Sequence, residues 1–226
     1  IMNQIKELSR EDHVMIIIDS IGNLASKKEV EDAIEGKSVA DMTRAKGLKS
    51  LFRMITPHLT LKDIPVVVVN HTYKEIGMFP KDIVGGGTGS YYSADNIWVL
   101  GRQQDKVDNE IAGYHFVINI EKSRFVKEKS KIPITVSYEG GINVWSGLFD
   151  VALQGNYIAK AKAGWYAVVD RSSGELKEPN MRASDIVNNK TFWMDMFKNT
   201  DFAKYIEGKY KVAHASIIED EDKDTE

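Results

Sequence analysis

The sequence predicts an α/β protein with a mostly parallel sheet, helices on both faces and antiparallel strands at one edge, followed by a small α+β domain. Residues 14–18 and 64–69 are almost wholly apolar, as is typical of strands buried on both faces of a parallel sheet. Between them, the apolar residues of 42–59 recur at helical spacing. A strand, a helix and a strand without a hairpin turn form a βαβ unit, whose strands run parallel.

The helix of this unit is predicted from four apolar residues that share one helical face, Leu48, Leu51, Phe52 and Ile55. Pro57 and the strand beyond it are expected to end the helix, because proline lacks the amide hydrogen that a helix interior needs. Residues 25–41 are polar and show no apolar period from which an element can be predicted.

Three further strands are predicted after the βαβ unit. Residues 96–100 follow a short helical segment, while 114–120 and 132–138 alternate between apolar and polar residues around a charged turn. Such alternation is typical of antiparallel strands with one face in the core. We therefore expect these strands to form the antiparallel edge of the sheet.

The character of the chain changes near residue 148, where short helices and a hairpin at 164–175 begin. Two closing helices are predicted from the apolar residues Trp193, Met196, Phe197, Phe202, Tyr205 and Ile206. The last eight residues include six acids and one lysine, a composition typical of disordered tails. The predicted domains are a core at 1–147, a small domain at 148–213 and an acidic tail at 214–226.

Composition excludes several classes of protein. The 226 residues include no cysteine, which excludes disulfide frameworks and thiolate metal sites and is compatible with a reducing cytoplasm. No apolar run approaches the roughly 20 residues that a membrane helix needs. The net charge of −3 does not by itself suggest nucleic-acid binding, so any DNA surface must come from a local arrangement of charges.

Polar side chains follow both strands of the βαβ unit. Asp19 ends the first strand, where nucleotide-binding folds place the acid that orients Mg²⁺, although capping of the next helix is an equally good interpretation. Asn70 and His71 end the second strand, which puts them beside Asp19 if the two strands are neighbours, and they could donate hydrogen bonds to a γ-phosphate. The alternative is a strand end whose polar groups are satisfied locally. The phosphate loop G-x-x-x-x-G-K-[ST] does not occur in the sequence.

Two further segments could bind anions. The glycines at 85–89 are predicted to open a helix whose exposed amides suit a phosphate, or else to form a flexible hinge. Lys122 and Arg124 flank Ser123 at a predicted strand end and could reach one anionic target together. A solvated basic loop is the alternative interpretation of that pair.

Taken in order, these segments resemble the RecA family of DNA recombinases, over about residues 10–210. The resemblance is carried by IIIDS at 16–20, VVVNH at 67–71, GGTG at 86–89, KSR at 122–124, YEGGI at 138–142 and AGWY at 163–166. Bacterial members have Gln where this chain has His71, which indicates the phage branch of the family. The resemblance implies a RecA-like ATPase core.

The resemblance also implies roles for individual residues. Asp19 would hold Mg²⁺ through water, and His71, with Asn70, would sense the γ-phosphate of ATP. Residues 26–41 and 72–84 would be the two DNA-binding loops. The implied DNA contacts are Val39, Arg44, Lys74, Ile76, Gly86, Gly87 and Thr88. The implied contacts to the ATP of a neighbouring protomer are Lys122, Arg124 and Tyr92.

The function implied is ATP-dependent homologous recombination, in which a helical filament forms on single-stranded DNA and promotes strand exchange with double-stranded DNA. A recombination mediator and a single-strand-binding protein are expected partners, in the cytoplasm of a bacterial host if the gene belongs to a phage. The family's phosphate loop and general-base glutamate would lie upstream of Ile1, so this chain alone is expected neither to hydrolyse ATP nor to polymerise.

Two other functions remain open from the sequence. One is a DNA-binding module without enzymatic activity, which the missing phosphate loop favours. The other is a replicative helicase with the same core fold, since helicases of this kind also place a histidine at a strand end. The predicted small domain with its AGWY segment favours the recombinase.

Overall fold

The computed structural model describes residues 1–36, 43–75, 78, 82–85 and 87–212. The predicted acidic tail lies outside these residues. The chain divides into two compact units, residues 1–95 and 96–226. No helix in the described part of the chain is both long and apolar enough to span a bilayer.

The first unit contains short strands, one 3-10 turn at Ile21–Asn23 and four helices among its described residues. Its helices are α1 (Met2–Glu7), α2 (Lys27–Ile34), α3 (Thr43–Lys62) and α4 (Thr88–Ser93). Its strands are β1 (Ile16–Ile18), β2 (Val66–Val68), β3 (Thr72–Lys74) and β4 (Asp82–Val84).

Strands β1 and β2 pair in parallel, with Ile16 opposite Val66 and Ile18 opposite Val68. This pairing confirms the strand–helix–strand unit. One face of the pair packs on a core of Ile5, Ile21, Leu48, Phe52 and Ile55. The expectation that both faces are buried is wrong for this chain, since Ile17 is 66% and Val67 47% exposed. Among the described residues, the buried core lies against one face only.

Helix α3 passes through Pro57 and ends at Lys62, so the prediction that Pro57 ends it is wrong. Proline inside a helix costs about 3 kcal/mol, because it removes one hydrogen bond and crowds the preceding turn. Phe52 and Ile55, 7% and 1% exposed, lie just before it on the core face. Burial of two such side chains contributes about 1.5–3 kcal/mol each, enough to offset the proline.

Helix α2 lies in the polar stretch where no element was predicted. Ser26 accepts a 3.0 Å hydrogen bond from the Glu29 amide, and Glu29 accepts one of 2.6 Å from the Ser26 amide. This reciprocal pair is a capping box, which stabilises a helix start independently of any apolar face. The spacing of serine and glutamate was the signal that could have revealed the helix.

The second unit comprises a four-stranded sheet followed by a smaller mixed region. The sheet consists of β5 (Asn96–Val107), β6 (Glu110–Ser123), β7 (Lys131–Ser137) and β8 (Gly141–Ile142). After it come α5 (Leu148–Gln154), β9 (Ile158–Lys162), β10 (Trp165–Val169), β11 (Leu176–Arg182), α6 (Ala183–Val187), α7 (Lys190–Asn199) and α8 (Phe202–Tyr210).

The four-stranded sheet has the order β5–β6–β7–β8 with antiparallel neighbours throughout. The three strands predicted here are confirmed, and two of them are much longer than their apolar patterns indicated. Among the described strands only β1 and β2 pair in parallel, so the expected mostly parallel sheet is not seen in this part of the chain.

The smaller region has its own core around Trp193, Tyr157 and Phe202, each no more than 1% exposed. The predicted packing residues Met196, Phe197, Tyr205 and Ile206 belong to this cluster or pack against it. The predicted hairpin is part of a three-stranded antiparallel sheet of order β11–β10–β9. The domain boundary near residue 147 stays a prediction.

Candidate nucleotide and nucleic-acid site

The parallel register of β1 and β2 places their carboxyl ends side by side. The Val69 amide donates to the Ile18 carbonyl at 2.9 Å, and the Ile21 amide donates to the Val69 carbonyl at 3.1 Å. These two hydrogen bonds continue the pairing past the end of β1. Consequently Asp19 and Ser20 lie beside Asn70 and His71, as the sequence predicted for three of these four residues.

Ser20 contacts His71 directly across the two strand ends. The Ser20 hydroxyl oxygen and His71 Nε2 are 3.3 Å apart, and which of them donates depends on the tautomer of the imidazole. Ser20 is buried and is only 7% exposed. No role could be predicted for Ser20 from the sequence, because a serine after an aspartate is not a distinctive pattern.

Asn70 and His71 also hold the start of the next hairpin. The Asn70 amide nitrogen donates to the Gly85 carbonyl at 2.7 Å, and the Gly85 amide donates to the His71 carbonyl at 3.0 Å. The Asn70 side-chain oxygen accepts from the His71 amide at 2.9 Å. Both backbone polar groups of Gly85 are therefore bonded to the end of β2.

The hairpin itself, β3 with β4, occupies the ends of the predicted second DNA loop. Thr72 pairs with Val84, Tyr73 with Ile83 and Lys74 with Asp82 in antiparallel register. Lys74 is exposed at the distal end of β3. The predicted DNA contact Ile76 lies outside the described residues, as do Val39 and Gly86.

The other predicted DNA contacts lie at two helix starts. Arg44 is in the first turn of α3 and half-buried. Gly87 precedes α4 with a φ of 78°, a backbone conformation that favours glycine, and Thr88 is the first residue of that helix. Both Gly87 and Thr88 are exposed. The predicted helix start after the glycines is thus confirmed, while DNA contact there stays a prediction.

Asp19 is exposed at the end of β1 and suits a water-mediated contact to Mg²⁺. No group of three or more metal-binding His, Asp or Glu side chains occurs among the described residues. Mg²⁺ commonly keeps several waters and takes one or two carboxylates, with substrate phosphates supplying the rest. A single carboxylate here fits that coordination, provided that a nucleotide brings its phosphates.

The predicted basic pair lies in the second unit, at the end of β6. Lys122 pairs with Ile97 of β5, and Arg124 follows the strand in an exposed position. Between them, the Ser123 hydroxyl donates to Asn96 Oδ1 at 2.7 Å and accepts from the Phe125 and Val126 amides at 3.1 and 3.0 Å. This hydroxyl fixes the turn that begins after Lys122 and contains Arg124.

The same turn is joined to the end of α8. The Lys127 amide donates to the Tyr210 carbonyl at 2.7 Å, and the Val212 amide donates to the Phe125 carbonyl at 3.0 Å. These bonds form an antiparallel bridge between Val126 and Lys211. Tyr92, the third predicted ATP contact, is in the first unit on α4, where it is 71% exposed and stacks edge-on against Tyr91.

A row of cations around an aromatic ring was missed by sequence analysis. Trp165 on β10 is paired with Lys162 on β9 and Arg182 on β11. The Lys162 ammonium lies 5.1 Å and the Arg182 guanidinium 5.4 Å from the centroid of the indole. Basic side chains flanking an aromatic ring suit nucleic acid, whose backbone is anionic and whose bases stack. Only the strand pairing brings the three residues together.

Comparison with known proteins identifies relatives of this chain. The family described as "Bacteriophage T4, Recombination and repair protein, C-terminal domain" matches residues 145–206. The recombination and repair protein of Enterobacteria phage T4 is 48% identical over 215 residues, which is 93% of this chain and 55% of the T4 protein. These matches overlap in the smaller region of the second unit.

Bacterial RecA proteins match more distantly. RecA of Ruegeria pomeroyi is 23% identical over 88% of this chain and 54% of its own length. RecA of Acinetobacter baylyi is 24% identical over 74% of the chain and 48% of its own length. The chain thus spans about half the length of the curated relatives that it matches.

The chain is homologous to the RecA family of recombination proteins, and this homology implies a RecA-like α/β fold. Over nearly all of its residues it is similar to the T4 recombination and repair protein, which is of the UvsX type. The resemblance indicated by the strand ends, the glycines and the AGWY segment is therefore confirmed.

Proposed function

We propose that this chain is part of an ATP-dependent homologous recombination protein that forms filaments on single-stranded DNA and promotes strand exchange. The observation that supports this most is the contact between Ser20 and His71 at adjacent parallel strand ends, in a chain 48% identical to a phage recombination protein. In this arrangement a nucleotide phosphate and the hairpin base can both influence one histidine.

In the proposed ATP site, Asp19 holds Mg²⁺ through water, while Asn70 and His71 respond to the γ-phosphate. Mg²⁺ would neutralise phosphate charge, as it does in other nucleoside triphosphatases. Lys122, Arg124 and Tyr92 contact the nucleotide of a neighbouring protomer. ATP then acts mainly as a switch that strengthens the filament interface, and its hydrolysis weakens that interface. The mostly parallel sheet of a RecA-like core is part of this proposal.

The proposed DNA surface of the first unit combines the β3–β4 hairpin with the starts of α3 and α4. Lys74 and Arg44 supply positive charge, and Gly86 and Gly87 offer backbone amides to phosphates. Val39 and Ile76 insert apolar side chains between base triplets, and Thr88 is a further DNA contact. Backbone contacts of this kind hold DNA without reading its sequence, which is left to base pairing. Double-stranded DNA, a mediator and a single-strand-binding protein are the further partners, in the cytoplasm of a bacterial host.

A DNA-binding role without catalysis is the second candidate. The sequence contains no phosphate-loop motif, so this chain by itself lacks the group that most such enzymes use to bind the β- and γ-phosphates. DNA binding without measurable ATP hydrolysis would favour this candidate for the isolated chain.

The test is binding of this chain to fluorescently labelled single-stranded DNA, followed by anisotropy over a series of salt concentrations. We expect measurable binding at low salt that weakens as salt rises, and weaker binding for Lys74→Ala and Arg44→Ala. Lys6→Ala is the matched control, because Lys6 is exposed on α1 and its carbonyl contacts Lys62, at the opposite end of α3 from Arg44. Equal binding by all four proteins would overturn the assignment of this surface.

A further inference from the structure

Two residues that have no role in the proposed site, Ser20 and Gly22, lie against the His71 ring. We propose that they are positioning residues that hold this ring between the end of β1 and the base of the β3–β4 hairpin. The inference rests on the proposed function, because it assigns His71 the sensing of bound nucleotide. It adds the residues through which the histidine is held in place.

Ser20 fixes one edge of the ring. Its hydroxyl oxygen is 3.3 Å from His71 Nε2, and the serine is 7% exposed. The serine end of this hydrogen bond is buried while the histidine is exposed, so the bond ties an exposed imidazole to a fixed hydroxyl at the end of β1. The partner of Nε2 is thus a protein group on the strand that carries Asp19.

Gly22 provides the space that the ring occupies. A Cβ atom placed on Gly22 would lie 2.5 Å from His71 Cδ2 and 3.4 Å from His71 Nε2. The first distance is far below van der Waals contact, so any side chain here must push the ring away. Glycine is required at this position by the imidazole rather than by a turn, since Gly22 has no positive φ.

The other end of the same residue is bonded to the hairpin. The His71 carbonyl accepts from the Gly85 amide at 3.0 Å, while Asn70 accepts from the His71 amide and donates to the Gly85 carbonyl. A ring held by Ser20 and Gly22 therefore restrains a residue whose backbone holds the first pair of the hairpin. Displacement of the ring is expected to loosen the bonds to Gly85.

The two positions can be changed independently with opposite chemistry. Ser20→Ala removes the hydroxyl and leaves the space, whereas Gly22→Ala keeps the hydroxyl and displaces the ring. Ser20→Thr retains a hydroxyl and is the conservative variant. Gly47→Ala is the matched control for the glycine change, because nothing lies within 4 Å of a Cβ at Gly47.

The experiment uses the ¹⁵N-labelled chain and records the His71 imidazole nitrogens together with the exchange rate of the Gly85 amide. Ser20→Ala and Gly22→Ala should both shift the Nε2 resonance. Both should speed exchange at Gly85 by about three- to tenfold, the effect of losing one modest hydrogen bond. Ser20→Thr should restore both signals towards those of the parent chain, and Gly47→Ala should change neither.

An unchanged Nε2 resonance in Ser20→Ala and Gly22→Ala would overturn the contact. A shifted resonance with unchanged Gly85 exchange would overturn the link to the hairpin. Neither readout uses DNA or nucleotide, so absence of DNA binding by the parent chain would count against the proposed function alone. Two independent variants keep the test decisive if one of them fails to fold.

Discussion

The Tyr157 hydroxyl donates a 2.8 Å hydrogen bond to Asp201 Oδ1, which joins the residue before β9 to the residue before α8. The Arg171 guanidinium lies 4.4 Å from the centroid of the tyrosine ring, and its Nε is 3.8 Å from the same carboxylate oxygen. Tyr157 is 1% exposed. A cation, an aromatic ring and a carboxylate thus hold the start of α8 against the sheet.

Tyr157→Phe should destabilise the chain by about 1–2 kcal/mol, because it removes the donor of a part-buried hydrogen bond to the Asp201 carboxylate. Chemical unfolding followed by tryptophan fluorescence measures the change. Tyr205→Phe is the matched control, since the Tyr205 ring packs on the Tyr157 ring and its hydroxyl makes no hydrogen bond to Asp201 among those described. Equal losses in both variants would contradict the importance of the Tyr157 hydroxyl.

The raised pKa of Tyr157 predicts that the chain loses stability at alkaline pH. Burial, followed by the hydrogen bond to Asp201, raises the pKa of Tyr157 from 10.0 to about 12. The unfolded chain then loses this proton at a lower pH than the folded chain does. The contribution is complete below pH 10 and is lost as pH rises towards 12. Denaturant midpoints should therefore converge between the parent chain and Tyr157→Phe across that interval.

Asp170 is expected to stabilise the β10–β11 turn at pH values above the usual aspartate pKa of 3.8. Its carboxylate accepts from the Lys177 ammonium at 2.8 Å and from Ser172, and these contacts hold the pKa of Asp170 well below its usual 3.8. Because the pKa of Asp170 is lower in the folded chain than in the unfolded chain, the ionised carboxylate stabilises the fold at pH values above 3.8. This stability is lost as pH falls below about 3.8. Asp170→Asn should remove this part of the dependence of folding stability on pH.

The check on Asp170 is a set of thermal melts from about pH 2 to about pH 6 on the parent chain and Asp170→Asn, an interval that brackets the usual pKa of an aspartate. Glu178→Gln is a control, because the described hydrogen bonds of the Glu178 carboxylate go only to Asn180 on the same strand. A constant difference in melting temperature across this interval would show that ionisation of Asp170 is not the cause.

Gly89 allows α4 to lie against α3. A Cβ atom at this position would be 2.6 Å from the Lys49 Cα atom, which is backbone and cannot rotate away. Gly89→Ala should force the helices apart and destabilise the first unit by about 1–3 kcal/mol, as overpacking usually does. Hydrogen exchange in α3 and α4 measures the change locally, and unaltered protection would contradict the close approach.

The Lys162–Trp165–Arg182 row should contribute to DNA affinity if it lies on the DNA surface. Arg182→Ala is expected to weaken binding and reduce the slope of log affinity against log salt by about one, the effect of one lost phosphate contact. Trp165→Ala should lower affinity with little change in slope, because an indole carries no charge. Equal salt slopes for Arg182→Ala and the parent chain would show that Arg182 does not contact a DNA phosphate.

The sequence was informative wherever one local pattern decided the outcome. The apolar runs before Asp19 and Asn70 predicted two parallel strands, and the pairing of those strands placed both polar ends together. The alternating residues of β6 and β7 predicted an antiparallel pair in the same way. In each case a short run of the chain specified both the element and its pairing.

The rest depended on contacts between distant segments. Ser20 is significant because His71, 51 residues away, approaches its hydroxyl, and no local pattern contains that distance. The exposure of Ile17 could not be predicted either, since an apolar run does not reveal which of its faces is covered. Pro57 misled the prediction because buried neighbours outweighed a local preference.

The bridge between Val126 and Lys211 offers a place for an optical reporter. The chain has no cysteine, so a thiol dye attached through Lys211→Cys would label a single known position. That dye would stand opposite the strand segment that begins two residues after Arg124. Its emission would then report movements of the turn that contains Arg124 in real time, without any alteration of Lys122 or Arg124 themselves.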